Sequence, residues 1–136
     1  MNIAIRDALQ EDINFIYATW LRSYRSGSSI GRQARNTVYY REYNKVIDHL
    51  LNSSTIKVAC LDDDPLIILG YAVFDRDNIH YIFVKEAFRR LGIARRLVES
   101  SLILPETCTH TTFIADKIID KFKIEFNPFK LFTRGL

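Results

Sequence analysis

Residues 89–96, Arg-Arg-Leu-Gly-Ile-Ala-Arg-Arg, set one glycine between two arginine pairs, after the β-rich run Ile79-His80-Tyr81-Ile82-Phe83-Val84 and the connecting Lys85-Glu86-Ala87-Phe88. A helix beginning near Ile93 leaves its first backbone N–H groups without intrahelical acceptors. Gly92 permits positive φ or a close backbone approach, and Arg89 and Arg90 add charge-assisted donors. Such donors converge on anions, and a pyrophosphate suits them best. No Lys-Ser/Thr pair follows the glycine and no GxGxxG is present, which argues against the ATP loop and the dinucleotide fingerprint. His80 shares a strand face with Asn78 in a regular strand, and Tyr81 takes the opposite face. An imidazole that titrates near neutrality is the candidate general base here.

These residues need a strand that ends at Val84 and a helix that starts at Ile93. Upstream, "IAIRDA" alternates like a strand, and Ile13, Ile16, Tyr17, Trp20 and Tyr24 follow at helical spacing. Glu11 and Asp12 read as first-turn carboxylates favoured by the helix dipole. "SGSSIG" breaks the pattern before a second helix through Val38, Tyr39, Tyr43, Val46, Ile47 and Leu50. "TIKVACL" and "LIILGYAVF" flank "DDDP" as a hairpin. Beyond the basic stretch, a helix over "IARRLVESSLIL", a strand at "HTTFIA", a short helix at "DKIIDKFKI" and a last strand at "FNPFKLF" complete the order. No repeat or linker divides residues 1–136, so a single α+β domain is expected.

The pattern Arg89-Arg90-Leu91-Gly92-Ile93-Ala94, following "IHYIFV" and opening a helix, resembles the acyl-CoA signature (R-x-x-G-x-A) of the GNAT superfamily of N-acyltransferases. The resemblance implies a GNAT-like fold: a mixed, mostly antiparallel sheet flanked by helices, with a V-shaped cofactor cleft between "IHYIFV" and "HTTFIA". It implies acetyl-CoA as acyl donor, with its pantetheine arm on the backbone of Ile82 and Val84. The amides across Arg89, Arg90, Leu91, Gly92, Ile93 and Ala94 would take the pyrophosphate, and Arg95 a further phosphate. The implied reaction is direct transfer to a primary amine of a small-molecule or protein acceptor. The family's carboxylate base falls near Asn78, leaving His80 or an ordered water for that role. Its tyrosine acid has no counterpart, since Tyr81 is the last tyrosine and Phe122 or Phe126 occupies that region. "HYIFVKEAFRRLGIA" with "FNPF" is similar to compact phage-type members. The departures also support a catalytically inactive GNAT-like module for a protein partner, in a virion or host interaction. A plain structural reading pairs the arginines with Asp75, Asp77 or Glu86 around a helix entrance.

On the acceptor side, Trp20, Tyr24, Tyr39, Tyr40 and Tyr43 offer aromatic walls and Arg22, Arg25, Arg32, Arg35 and Arg41 positive charge. If those arginines face the cleft, they favour an acidic acceptor. His110 is a further group able to line the cleft. The net charge of +3, from 19 basic and 16 acidic residues, is too small for a nucleic-acid coat. Cys60 and Cys108 lack metal-ligand spacing and read as reduced thiols, and no metal site is expected. No leader or apolar run of membrane length is present, so a cytoplasmic protein is expected. An exposed sheet edge would serve a homodimer.

Overall fold

The computed structural model describes residues 1–133. Strand β1 (Ile3–Asp7) leads through a single 3-10 turn at Gln10–Asp12 into α1 (Ile13–Gly27). The helical spacing of Ile16, Trp20 and Tyr24 makes one buried face of α1. Helices α2 (Ser29–Gln33) and α3 (Asn36–Ser53) follow, separated from α1 at Ser28, whose hydroxyl accepts from Gly31 N–H at 2.9 Å. Gly31 is required there: a Cβ would come within 2.1 Å of the Tyr24 carbonyl oxygen.

Strands β2 (Thr55–Leu61), β3 (Asp64–Asp75) and β4 (Asn78–Val84) pair antiparallel with one another, and β1 pairs antiparallel with β2. After α4 (Ile93–Glu99) come β5 (Thr107–Cys108), α5 (Asp116–Lys121), β6 (Glu125–Phe126) and α6 (Lys130–Thr133). β5 and β6 are parallel to β4, and the six strands lie in chain order. The α+β architecture and mostly antiparallel sheet are as the sequence implies.

Two cores form on the two sheet faces. α1 and α3 close over Ile56, Val58, Tyr71, Val73 and Tyr81, while α4 and α5 close over Ala59, Leu69, Ala72, Phe74 and Ile79. Each fully buried aliphatic side chain, such as Ile16 or Leu97, contributes about 1.5–3 kcal/mol.

Five details differ from the sequence reading. α4 stops at Glu99 rather than running to Leu104, because Ser100 and Ser101 hydroxyls turn back onto the Leu97 and Val98 carbonyls at 2.6 and 2.8 Å. The strand placed at "HTTFIA" lies earlier, at Thr107–Cys108, and "FNPFKLF" ends in a helical turn rather than a strand. Asp12 is more than a first-turn carboxylate. It is 2% exposed and forks onto Arg6 at 2.6 and 3.1 Å while accepting Leu9 N–H at 2.6 Å. Burial alone would raise its carboxyl pKa, but the bonds from Arg6 and Leu9 outweigh it and hold the group below its ordinary value.

The fifth difference is a bulge. Val73 pairs with Tyr81 and Phe74 with Ile79, so His80 is an extra residue on β4 and strict alternation ends there. His80 and Tyr81, expected on opposite faces, both bring their rings within 6.4 Å of His110. No helix among the described residues is long and apolar enough to cross a membrane.

Candidate functional site

β4 and β5 pair only at Asn78↔Thr107 and Ile79↔Cys108, and the last bond runs from Thr109 N–H to Ile79 C=O at 3.3 Å. β4 continues to Val84 without β5, so the strands part. On the other edge Lys85 N–H bonds Leu69 C=O at 2.8 Å, which makes Val84↔Gly70 and Ile82↔Ala72 the pairs that do not exchange hydrogen bonds with β3. The backbone groups of Ile82 and Val84 therefore point into the opening. The Val84 carbonyl is held by Arg89 Nε at 2.9 Å, leaving the Ile82 groups and Val84 N–H on that edge.

Past a 3-10 turn at Glu86–Phe88, the chain takes left-handed backbone at Arg90 (φ 67°) and Gly92 (φ 80°). Hydrogen bonding in α4 begins only with Arg96 N–H donating to Gly92 C=O at 3.1 Å. Among the described residues, the amides of residues 90 to 95 thus have no backbone acceptor. A Cβ on Gly92 would meet nothing closer than Arg95 Nη2 at 4.0 Å, so the glycine serves its positive φ and leaves open space. Successive free amides, open approach and nearby guanidinium groups fit a diphosphate.

Individual side chains differ from one another in this loop. Leu91 is half exposed, while Ile93 is core, so Ile93 offers its amide only. Arg89 is folded onto Val84, Arg90 is exposed, and Arg95 lies beside Gly92 and 3.5 Å from Glu99.

Between β4 and the segment after β5, a narrow cleft is lined by Ile79, Tyr81, Ile82, Cys108, His110 and Ile118, with further α5 residues behind. His80 lies beside it and is buried, its Nδ1 at 2.7 Å from Thr109 Oγ1 and 3.2 Å from Asn78 Nδ2. Burial, then the nearby His49, lowers the His80 pKa to about 4. Burial and the neighbouring His80 lower His110 to about 3, against a smaller opposing effect of the His80 carbonyl. Both imidazoles are neutral at neutral pH. Burial raises the Cys108 thiol to about 11, which leaves it protonated and unreactive. Phe122 packs into the second core and Phe126 is half exposed.

The aromatic residues expected to wall an acceptor site pack on one another. Trp20 stacks on Tyr81 at 4.8 Å and donates to Tyr43 OH at 2.8 Å, Tyr24 stacks on Tyr43 at 4.9 Å, and Tyr81 OH bonds Ser23 Oγ at 2.6 Å. Tyr40 alone of that set is exposed. The arginines are turned to local partners: Arg25 to Asn36 and the Gly31 carbonyl, Arg32 over the Phe113 ring, and Arg41 to Glu42. Arg22 and Arg35 are exposed. Sequence reasoning missed Thr107 and Thr109, whose hydroxyls join β5 to Asn78 and His80. The run Thr-Cys-Thr-His beside a parting strand was the available signal.

A family model described as "Acetyltransferase (GNAT) family" matches residues 13–109. No curated protein matches the chain. Among solved structures, the chain is similar to apo-form YjaB from Escherichia coli, at TM-score 0.51 and 23% identity, over 73% of this chain and 63% of that one. It is also similar to an acetyl-transferase-like protein from Pyrococcus furiosus, at TM-score 0.58 and 17% identity, over 92% and 79%. A third is a histone acetyltransferase HPA2 and related acetyltransferase from Corynebacterium glutamicum, at TM-score 0.57 and 13% identity, over 73% and 69%. At these identities the likeness is one of fold, and the chain spans less than two thirds of the length of the Escherichia coli protein.

Proposed function

The chain belongs to the GNAT family of acetyltransferases, and we propose that it takes acetyl-CoA along the open edge of β4 and transfers the acetyl group to a primary amine. The observation that carries this reading is the continuity of unused donors. The free edge at Ile82 and Val84 leads straight into the unpaired amides of residues 90 to 95. A pantetheine arm needs the first and a pyrophosphate the second.

Bound there, acetyl-CoA supplies an activated thioester. The backbone of Ile82 and Val84 orients the arm, the 90–95 amides and Arg90 hold the diphosphate, and Arg95 adds charge at its rim. Backbone donors on β4 polarise the carbonyl, so positioning and electrostatics carry most of the acceleration. His80, neutral at working pH and a weak base by its depressed pKa of about 4, is the final proton acceptor behind the cleft wall. The acceptor is a small-molecule or protein amine, and the cytoplasm, one compartment that holds acetyl-CoA, is the proposed place of the reaction.

Titration calorimetry with acetyl-CoA, desulfo-CoA and ATP tests the reading. Micromolar binding of both CoA species but not ATP, followed by acetylation in an amine panel, is expected. Absence of CoA binding would refute it. The filled acceptor side favours a second reading, since Trp20, Tyr24, Tyr81 and His110 are all buried together: a GNAT-like protein that binds CoA and a protein partner without turnover. Binding without acetylation of any amine is its signature.

A further inference from the structure

Where β4 and β5 part, polar side chains tie them together in a way that neither the strand pairing nor the anion loop requires. Thr107 Oγ1 donates to Asn78 Oδ1 at 3.0 Å, which turns the Asn78 amide nitrogen toward His80 Nδ1 at 3.2 Å. His80 Nδ1 is then an acceptor, and the ring proton belongs on Nε2. Nε2 has no hydrogen-bond partner among the described residues but lies 3.7 Å from Asp75 Oδ2. Thr109 Oγ1 stands 2.7 Å from His80 Nδ1 and 2.8 Å from His110 Nδ1. With His80 Nδ1 accepting, the threonine hydroxyl donates to it and accepts from His110 Nδ1–H. In that tautomer the second nitrogen of His110 carries the lone pair, on a ring that lines the cleft and is also hydrogen-bonded to the His80 carbonyl.

We infer that Asp75, His80, Thr109 and His110 form a proton relay that accepts the proton of the attacking amine and returns it to the departing sulfur. The inference rests on the acetyl-transfer reading and supplies its acid as well as its base. The amine nitrogen bonds the acetyl carbon, and the C–S electron pair goes to sulfur. One N–H proton passes to His110 Nε2 as His110 Nδ1–H moves to Thr109 and the Thr109 hydroxyl proton to His80 Nδ1. His80 then carries two ring protons, beside the Asp75 carboxylate. The reverse shift delivers a proton from His110 to the thiolate, so no tyrosine acid is needed and the relay is restored.

The titratable groups facing the two imidazoles are Tyr24 from α1, Tyr43 and His49 from α3, Asp75 from β3 and Tyr81 from β4. Of these, Asp75 is the one carboxylate, placed at the His80 end where positive charge would collect. Burial keeps both imidazoles neutral at neutral pH and makes the protonated relay a strong acid, suited to returning its proton to the thiolate.

The test compares wild type, Thr109→Val and Thr109→Ser in steady-state kinetics, with imidazole nitrogen NMR on the wild type. Thr109→Val should lower kcat about 100-fold with the KM for acetyl-CoA unchanged, and Thr109→Ser, which keeps the hydroxyl, should recover to within about threefold. The spectra should show Nδ1–H on His110 and Nε2–H on His80. Reversed tautomers overturn the relay even if Thr109→Val fails to fold. Wild-type turnover with an unimpaired Thr109→Val overturns the relay alone. A wild type that binds acetyl-CoA but acetylates no amine overturns the acetyl-transfer reading and, with it, the relay's task.

Discussion

The loop from Lys85 to Arg95 and the cluster beneath α1 and α3 sit at the two sides of one opening and are built on opposite principles. The loop exposes backbone donors that have no backbone acceptor among the described residues, holding them with two left-handed residues and an arginine folded onto Val84. In the cluster nearly every polar atom is matched: Trp20 to Tyr43, Tyr81 to Ser23, Thr109 to both histidines. Unused donors on an ordered backbone mark a place where a ligand completes the structure, whereas satisfied and buried groups mark what must stay fixed while it does. In the proposed reading the donor side is the receptor, and the acceptor side a rigid wall with the inferred proton path inside it.

The largest expected effect falls on the receptor. Gly92→Glu should weaken acetyl-CoA binding by at least about 100-fold, since its side chain fills the space where the backbone meets the ligand and its carboxylate repels the ligand's charge, while the positive φ costs about 1–2 kcal/mol of stability. A Cβ there clashes with nothing, but the positive φ strains any side chain, so the thermal midpoint should fall by about 3–8 °C with the fold retained. Calorimetry and a melting curve read the two quantities separately. Unchanged affinity would remove the loop from the site and end the contrast between the two sides.

The receptor side was legible in the sequence because its information is local. One strand, one glycine at the helix entrance and the arginines around it state the backbone geometry within twenty residues, and the structure puts Gly92 at positive φ as that glycine suggested. The wall was not legible, because distant residues make it. The bulge at His80 is set by its pairing with Val73 and Phe74 on β3, and no periodicity within "NIHYIFV" announces it. Thr109 matters only because β5 brings it beside His80, 29 residues away in the chain. The aromatic residues were recognised, but helical spacing cannot say whether rings line a space or fill it, and Trp20 on Tyr81 fills it. β5 also proved too short to be seen as a strand.

A smaller, measurable effect tests the wall. His80 and His110 have pKa values depressed from 6.5 to about 4 and about 3, so the unfolded chain binds protons at a pH where the folded chain does not. Stability from the neutral pair is complete above about pH 6.5 and declines as the pH falls toward the folded values, by roughly 1.4 kcal/mol per pH unit for each histidine. Urea unfolding at pH 7.0 and 5.5 should therefore differ by a few kcal/mol in wild type. In His80→Gln the difference should be about half as large. An equal difference in both proteins would show that His80 does not titrate out of a buried, neutral state, and the wall would lose its fixed interior.

The smallest effect sharpens the contrast most, because it separates backbone from side chain within the receptor. Arg95 lies beside Gly92 but is largely exposed, and its 3.5 Å pair with Glu99 is equally open to water. Exposed pairs of this kind contribute about 0–1 kcal/mol, so Arg95→Ala should leave stability within about 0.5 kcal/mol of wild type. Its charge acts on a bound phosphate through solvent, and acetyl-CoA affinity should fall only about two- to threefold, more at low salt than at high. Titrations at two ionic strengths measure both. A loss of thirtyfold or more would mean that side-chain charge, not the row of unpaired amides, holds the diphosphate. The receptor would then be an electrostatic patch that Lys could replace, and the left-handed backbone at Arg90 and Gly92 would need another explanation.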